Sequence, residues 1–129
     1  MSAGRSILLV DDDPQLLRLM TRLLEKSGHV VRSATSAVEA LTCFEDGPPG
    51  FELAILDVNL AAGGGAEALL PELRARIPEL EVVLISGDVL PASLEQALAT
   101  RGGRFLRKPF APSALLALVA EADGGKAGA

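Results

Sequence analysis

The chain predicts an α/β fold, with a parallel five-stranded sheet and helices on both faces. Three observations carry this. Short apolar runs alternate with helix-period segments along all 129 residues. The runs are continuous, as strands buried on both sides require. Each run ends abruptly in polar residues. Strands joined through helices make right-handed parallel crossovers. At this size the flavodoxin-like order 2-1-3-4-5 is the common solution.

The elements follow in order. Ser6–Val10 is an apolar run stopped by Asp11, Asp12 and Asp13. Pro14 sits where a first helical turn tolerates it. Leu16, Leu17, Met20, Leu23 and Leu24 recur at helical spacing, and Ser27-Gly28 ends that helix. His29–Ser33 reads as the second strand. Ser36 and Glu39 form a capping-box pattern before Ala37, Val38, Ala40, Leu41 and Phe44. Gly47-Pro48-Pro49-Gly50 breaks this second helix, and Phe51–Leu56 is the third strand, closed by Asp57.

A Gly-rich stretch, Ala61–Gly65, precedes a third helix through Leu69, Leu70, Leu73 and Ile77, with Pro71 expected in its first turns. Glu81–Ile85 is the fourth strand, followed by Ser86-Gly87-Asp88. Pro91–Thr100 is the fourth helix, Arg104–Arg107 the fifth strand and Ser113–Ala122 the last helix. Residues 1–5 are expected to be a disordered lead-in, 6–123 a single domain and 124–129 a flexible tail.

Composition narrows the function. A net charge of −5 argues against a broad phosphate-binding surface, and the absence of Trp and Tyr removes a base-stacking platform. Direct nucleic-acid binding is not expected. No apolar run is long enough to span a bilayer, and MSAGRS lacks the apolar stretch of a secretory signal. A lone cysteine, Cys43, suits a reducing compartment, so a cytoplasmic location is expected. His29, the only histidine, has no second histidine to form a ligand pair and reads as a surface or edge residue.

The chemistry lies at the strand ends. In an open parallel sheet, ligands bind beyond the carboxyl ends of the strands, at the switch in strand order. Asp11 and Asp12 end the first strand, Asp57 the third, Ser86 the fourth and Lys108 the fifth. In the order 2-1-3-4-5 these loops converge. Crowded carboxylates repel, and a hard divalent cation such as Mg²⁺ relieves the repulsion. A lysine and a hydroxyl opposite suit phosphoryl oxygens. The set fits phosphoryl transfer to a carboxylate. Each piece has a plainer reading alone: acids past strands cap helices, and Ser-Gly-Asp is a common turn.

The pieces Leu8-Leu9-Val10-Asp11-Asp12-Asp13-Pro14, Ala54-Ile55-Leu56-Asp57-Val58-Asn59-Leu60, Val83-Leu84-Ile85-Ser86-Gly87 and Phe105-Leu106-Arg107-Lys108-Pro109-Phe110 together resemble the receiver domain of two-component response regulators. The resemblance covers roughly residues 6–123. It implies that Asp57 accepts a phosphoryl group from a histidine kinase or phosphotransfer protein. It implies Mg²⁺ on Asp12, Asp57 and the Asn59 carbonyl, with Asp11 acting through water. Ser86 and Lys108 would meet the phosphoryl oxygens, and Phe105 would be the aromatic whose packing follows Ser86. The bond before Pro109 is expected to be cis.

Three departures stand out. Ala61 replaces a usual proline, Gly63-Gly64-Gly65 replaces a single usual glycine, and Phe105 replaces a frequent tyrosine. The resemblance further implies a downstream protein partner at the fourth helix, fifth strand and fifth helix, and a homodimer through the same face. The domain would act alone or within a longer protein such as a hybrid histidine kinase. It would be a signalling module, not an enzyme in the usual sense.

Two other readings compete. A pseudo-receiver would keep the fold and lack one of Asp57, Lys108 or the leading acids, yet all stand here. A haloacid-dehalogenase-like phosphatase would need a further acidic pair on a strand after the lysine, and the pattern after Lys108 is a helix and a tail.

Overall fold

A computed structural model describes residues 4–46, 50–60, 65–87 and 89–128. The elements are β1 (Ser6–Val10), α1 (Pro14–Lys26), β2 (Val30–Ala34), α2 (Ala37–Asp46), β3 (Leu53–Asp57), α3 (Gly65–Arg76), β4 (Glu81–Ser86), α4 (Ala92–Arg101), β5 (Arg104–Arg107) and α5 (Pro112–Gly128). The strands form one parallel sheet in the order β2-β1-β3-β4-β5, as the alternation predicts.

Each face of the sheet carries its own core. Leu8, Val10, Ala54, Leu56 and Leu84 face Ala40, Leu69, Leu73 and Leu94, which places α2, α3 and α4 on one side. Ile7, Leu9, Ile55, Val83 and Ile85 face Leu17, Met20, Leu24, Leu115 and Val119, which places α1 and α5 on the other. Burial on both faces explains why these strands read as unbroken apolar runs.

Local signals set the helix starts. Asp13 caps α1: its Oδ1 accepts from the N–H groups of Gln15 at 3.0 Å and Leu16 at 3.3 Å, and Pro14 opens the helix. At α2, Ser36 Oγ accepts from Glu39 N at 3.1 Å, while the Glu39 carboxylate reaches one residue further back, to Thr35 N and Oγ1. Those two bonds hold the Glu39 carboxyl below its ordinary range.

Several boundaries differ from the sequence reading. The second strand starts at Val30, and the third runs Leu53–Asp57, so Asp57 is the last residue of β3. α3 starts at Gly65, whose φ of +67° suits a residue without Cβ, and Pro71 lies in its second turn, as expected. Buried leucines on both sides of Pro71 hold the helix together despite the missing N–H. α5 extends to Gly128, past the expected boundary at 123. A glycine costs an interior helix position only about 1 kcal/mol relative to alanine, so Gly124-Gly125 need not stop it. Ala61, Gly63 and Gly64 lie outside the described residues.

Arg5, expected in a disordered lead-in, is buried instead. Its Nη1 donates to the Val119 carbonyl at 3.3 Å, and its guanidinium lies 3.8 Å from Glu52 and 4.0 Å from Glu81. The Arg5 N–H donates to His29 Nδ1 at 3.0 Å. One residue thus ties the entry of β1 to β2, β3, β4 and α5.

The same contact requires a neutral His29, because a protonated imidazole has no acceptor. Burial, then the charge of Arg5, holds the His29 pKa below its ordinary 6.5. Protonation therefore favours the unfolded chain. This contribution to stability is complete above pH 6.5 and is lost as pH falls through the lower folded value. Urea unfolding between about pH 7.5 and pH 5 should show a larger loss in the parent than in His29→Asn, which keeps an acceptor that does not titrate. Equal losses would assign the pH dependence elsewhere.

Candidate functional site

The sheet order brings four strand ends together. Val10 of β1 pairs with Leu56 of β3, Asp57 pairs with Ile85 of β4, and Ser86 pairs with Arg107 of β5. The residues just past these pairs, Asp11, Asp12 and Lys108, therefore open onto one mouth. Lys108 N donates to the Ser86 carbonyl at 2.9 Å, which fixes the lysine backbone beside β4. The Lys108-Pro109 bond is cis, as the resemblance implied.

Oxygens from Asp11, Asp12 and Asp57 lie within 4.8 Å of one another. Asp11 and Asp57 are buried, and Asp12 is exposed at the mouth. Asp57 Oδ1 accepts from Asn59 N at 3.1 Å, and Asp11 Oδ1 accepts from Asp13 N at 2.9 Å. The second oxygens face the lysine: Lys108 Nζ lies 3.5 Å from Asp57 Oδ2 and 3.5 Å from Asp11 Oδ2. Asp11 Oδ2 is buried without a well-formed hydrogen bond, and Lys108 at 3.5 Å only partly compensates its charge.

One ammonium opposes three acids. Burial pushes the Asp11 carboxyl above its ordinary 3.8, the Asp13 N–H pulls it back, Asp57 raises it further, and Lys108 opposes that rise. A buried oxygen with no donor, beside two more carboxylates, fits a hard divalent cation that takes oxygen ligands. Asp11, Asp12 and Asp57 could hold such an ion.

The other expected residues lie around this centre. Ser86 is buried at the end of β4. Asn59 is exposed just beyond Asp57. Phe105 lies on β5 with its ring outward, 37% exposed. Asp13 turns away to cap α1. Cys43 is buried on the opposite side of the sheet from α1 and α5. Arg5 is the residue whose role the sequence concealed; its only signal is a cation set directly before an apolar strand.

Fold and site together define an acidic pocket at the carboxyl ends of a doubly wound parallel sheet. The chain belongs to the response regulator receiver domain family, whose model matches residues 7–120. It is 32% identical over 109 residues to the photosynthetic apparatus regulatory protein RegA of Cereibacter sphaeroides, covering 84% of this chain and 58% of that protein. It is 34% identical over 116 residues to the C4-dicarboxylate transport transcriptional regulatory protein DctD of Rhizobium meliloti, covering 90% of this chain and 25% of that protein. A CheY-like receiver domain protein from Methanospirillum hungatei superposes with a TM-score of 0.83 at 26% identity, covering 98% of this chain and 100% of that one. The chain thus spans 58% of one such regulator and 25% of the other. Among the described residues, no helix is long and apolar enough to cross a membrane.

The crowding makes a direct test. Asp11→Asn keeps the acceptor for Asp13 N and removes one buried charge. Without divalent metal it should stabilise the protein by about 1 kcal/mol, roughly 4 °C in melting temperature. A lower melting temperature would mean that attraction to Lys108 outweighs burial and the repulsion from Asp57.

Proposed function

We propose that this domain receives a phosphoryl group on Asp57 from a phosphohistidine of a histidine kinase or phosphotransfer protein. The observation that carries the proposal is Lys108 Nζ at 3.5 Å from both Asp57 Oδ2 and the orphaned Asp11 Oδ2. That geometry sets the buried Asp57 carboxyl group beside a cation at the mouth, where the ammonium can meet the incoming phosphoryl charge.

In the transfer, a carboxylate oxygen of Asp57 attacks phosphorus. A P–O bond forms, the P–N bond to the donor imidazole breaks, and the nitrogen keeps its electron pair. The Asn59 N–H orients the carboxylate through Oδ1. Lys108 stabilises charge on the phosphoryl oxygens, and the Ser86 hydroxyl donates to another of them. Mg²⁺ would be held by Asp12, Asp57 and the Asn59 carbonyl, with Asp11 through water. When bound, it supplies charge neutralisation for the carboxylates and phosphoryl oxygens.

The new charge then changes partner contacts. Ser86 moves toward the phosphoryl group to gain a charge-assisted bond, and space opens behind it. Phe105, outward here, rotates into that space as one packing gives way to another. The surface of α4, β5 and α5 is where a downstream protein, or a second copy of the chain, reads the change.

Intact mass after incubation with a small-molecule phosphodonor and Mg²⁺ tests the acceptor. The parent should gain one phosphoryl group, and Asp57→Asn should gain none while remaining folded. Equal phosphorylation of Asp57→Asn would overturn the assignment. In a separate titration, Asp12→Ala should weaken Mg²⁺ binding; unchanged affinity would remove Asp12 from the ligand set.

A further inference from the structure

α4 is poorly equipped to hold itself in place. It has 10 residues, and a helix that short is marginal alone. Its N-cap residue, Pro91, makes no side-chain cap bond. Among its described side chains only Leu94 is buried, and Ala97 and Leu98 are half-buried. Between α4 and α3 lies a groove of about 440 Å³, floored by Leu70, Pro71, Leu94 and Ala97.

α3 supplies what α4 lacks. The Glu67 carboxylate accepts a hydrogen bond from Ser93 Oγ in the first turn of α4. Negative charge there opposes the positive end of the helix dipole. At the other end, Arg74 Nη2 donates to the carbonyl of Gly102, the C-cap of α4, at 2.8 Å. A guanidinium on a terminal carbonyl is a charge-assisted cap at the negative end of the dipole. Arg74 is itself buried, so this contact is shielded from solvent. Glu67 and Arg74 lie about two turns apart on α3 and so span the groove.

We propose that α3 caps α4 at both ends, and that these two clasps, more than packing, set the position of α4. They thereby fix the resting shape of the face that a partner meets. That last consequence rests on the function proposed above; the clasps do not.

Amide exchange on the full chain, without Mg²⁺ or phosphodonor, reads the clasps alone. Ser93 is exposed, so Ser93→Ala should fold normally. Amides of residues 92–101 should exchange roughly two- to threefold faster in Ser93→Ala and about fivefold faster in Arg74→Met, with β4 amides unchanged. Should Arg74→Met loosen the sheet equally, Ser93→Ala alone decides. Parent-like exchange across α4 in the folded variants overturns the proposal. Phosphoryl uptake is measured separately by mass, so failure of the clasps and failure of the acceptor are distinguishable.

Discussion

The structure turns on holding two buried carboxylates beside a third with a single ammonium. Asp11 and Asp57 face Lys108 at equal distance, and one Asp11 oxygen still has no donor. Such an arrangement cannot arise from stability alone, because a buried charge left partly unpaired is costly. The remainder of the fold tolerates it. Two continuous apolar layers, one on each face of the sheet, supply the favourable burial that offsets the strain at the mouth.

The sheet order converts distant sequence positions into one centre. Lys108 is 51 residues from Asp57, yet the Ser86–Arg107 pairing and the Lys108 N–H on the Ser86 carbonyl leave the lysine little freedom. Register matters because a one-residue slip reverses which side chains face each core. At β5, which pairs on one side only, that register keeps Leu106 half-buried and turns Phe105 outward. A strand held on one side leaves room for the change of Phe105 packing that the proposed function requires.

Much of this was legible in the residues. Unbroken apolar runs show burial on both faces, and Asp13-Pro14 or Ser36 with Glu39 show where helices begin, because these signals act within a few residues. The site was legible for a different reason: each polar group closes a separate strand, so the strand order alone brings the groups together. Legibility fails where a long-range contact overrides local composition. Arg5 looks like part of a polar leader until Val119, Glu52 and Glu81 gather around it. Pro71, by contrast, lies within α3 as expected, and buried leucines on both sides carry the helix through it. The pairings of Glu67 with Ser93 and Arg74 with Gly102 leave no pattern that a single sequence displays.

These long-range contacts divide the molecule into stiff and yielding parts. Arg5 locks the amino-terminal edge of the sheet, far from the acids, by joining the starts of three further strands to α5. The opposite edge carries the charge imbalance, and a change there cannot be absorbed by strands already packed on both faces. It must pass to an element with little burial. α4 fits that description, since Leu94 is its one buried side chain among those described and its ends are held by polar contacts. The Ser93–Glu67 contact is exposed and worth little, whereas the Arg74–Gly102 contact is shielded, so in the proposed switch the Ser93 end of α4 would yield first. The same distribution explains why the chain can carry a strained acidic centre and still present a defined surface. Rigidity is concentrated where the site is built, and compliance on the face where the proposed function would read its state.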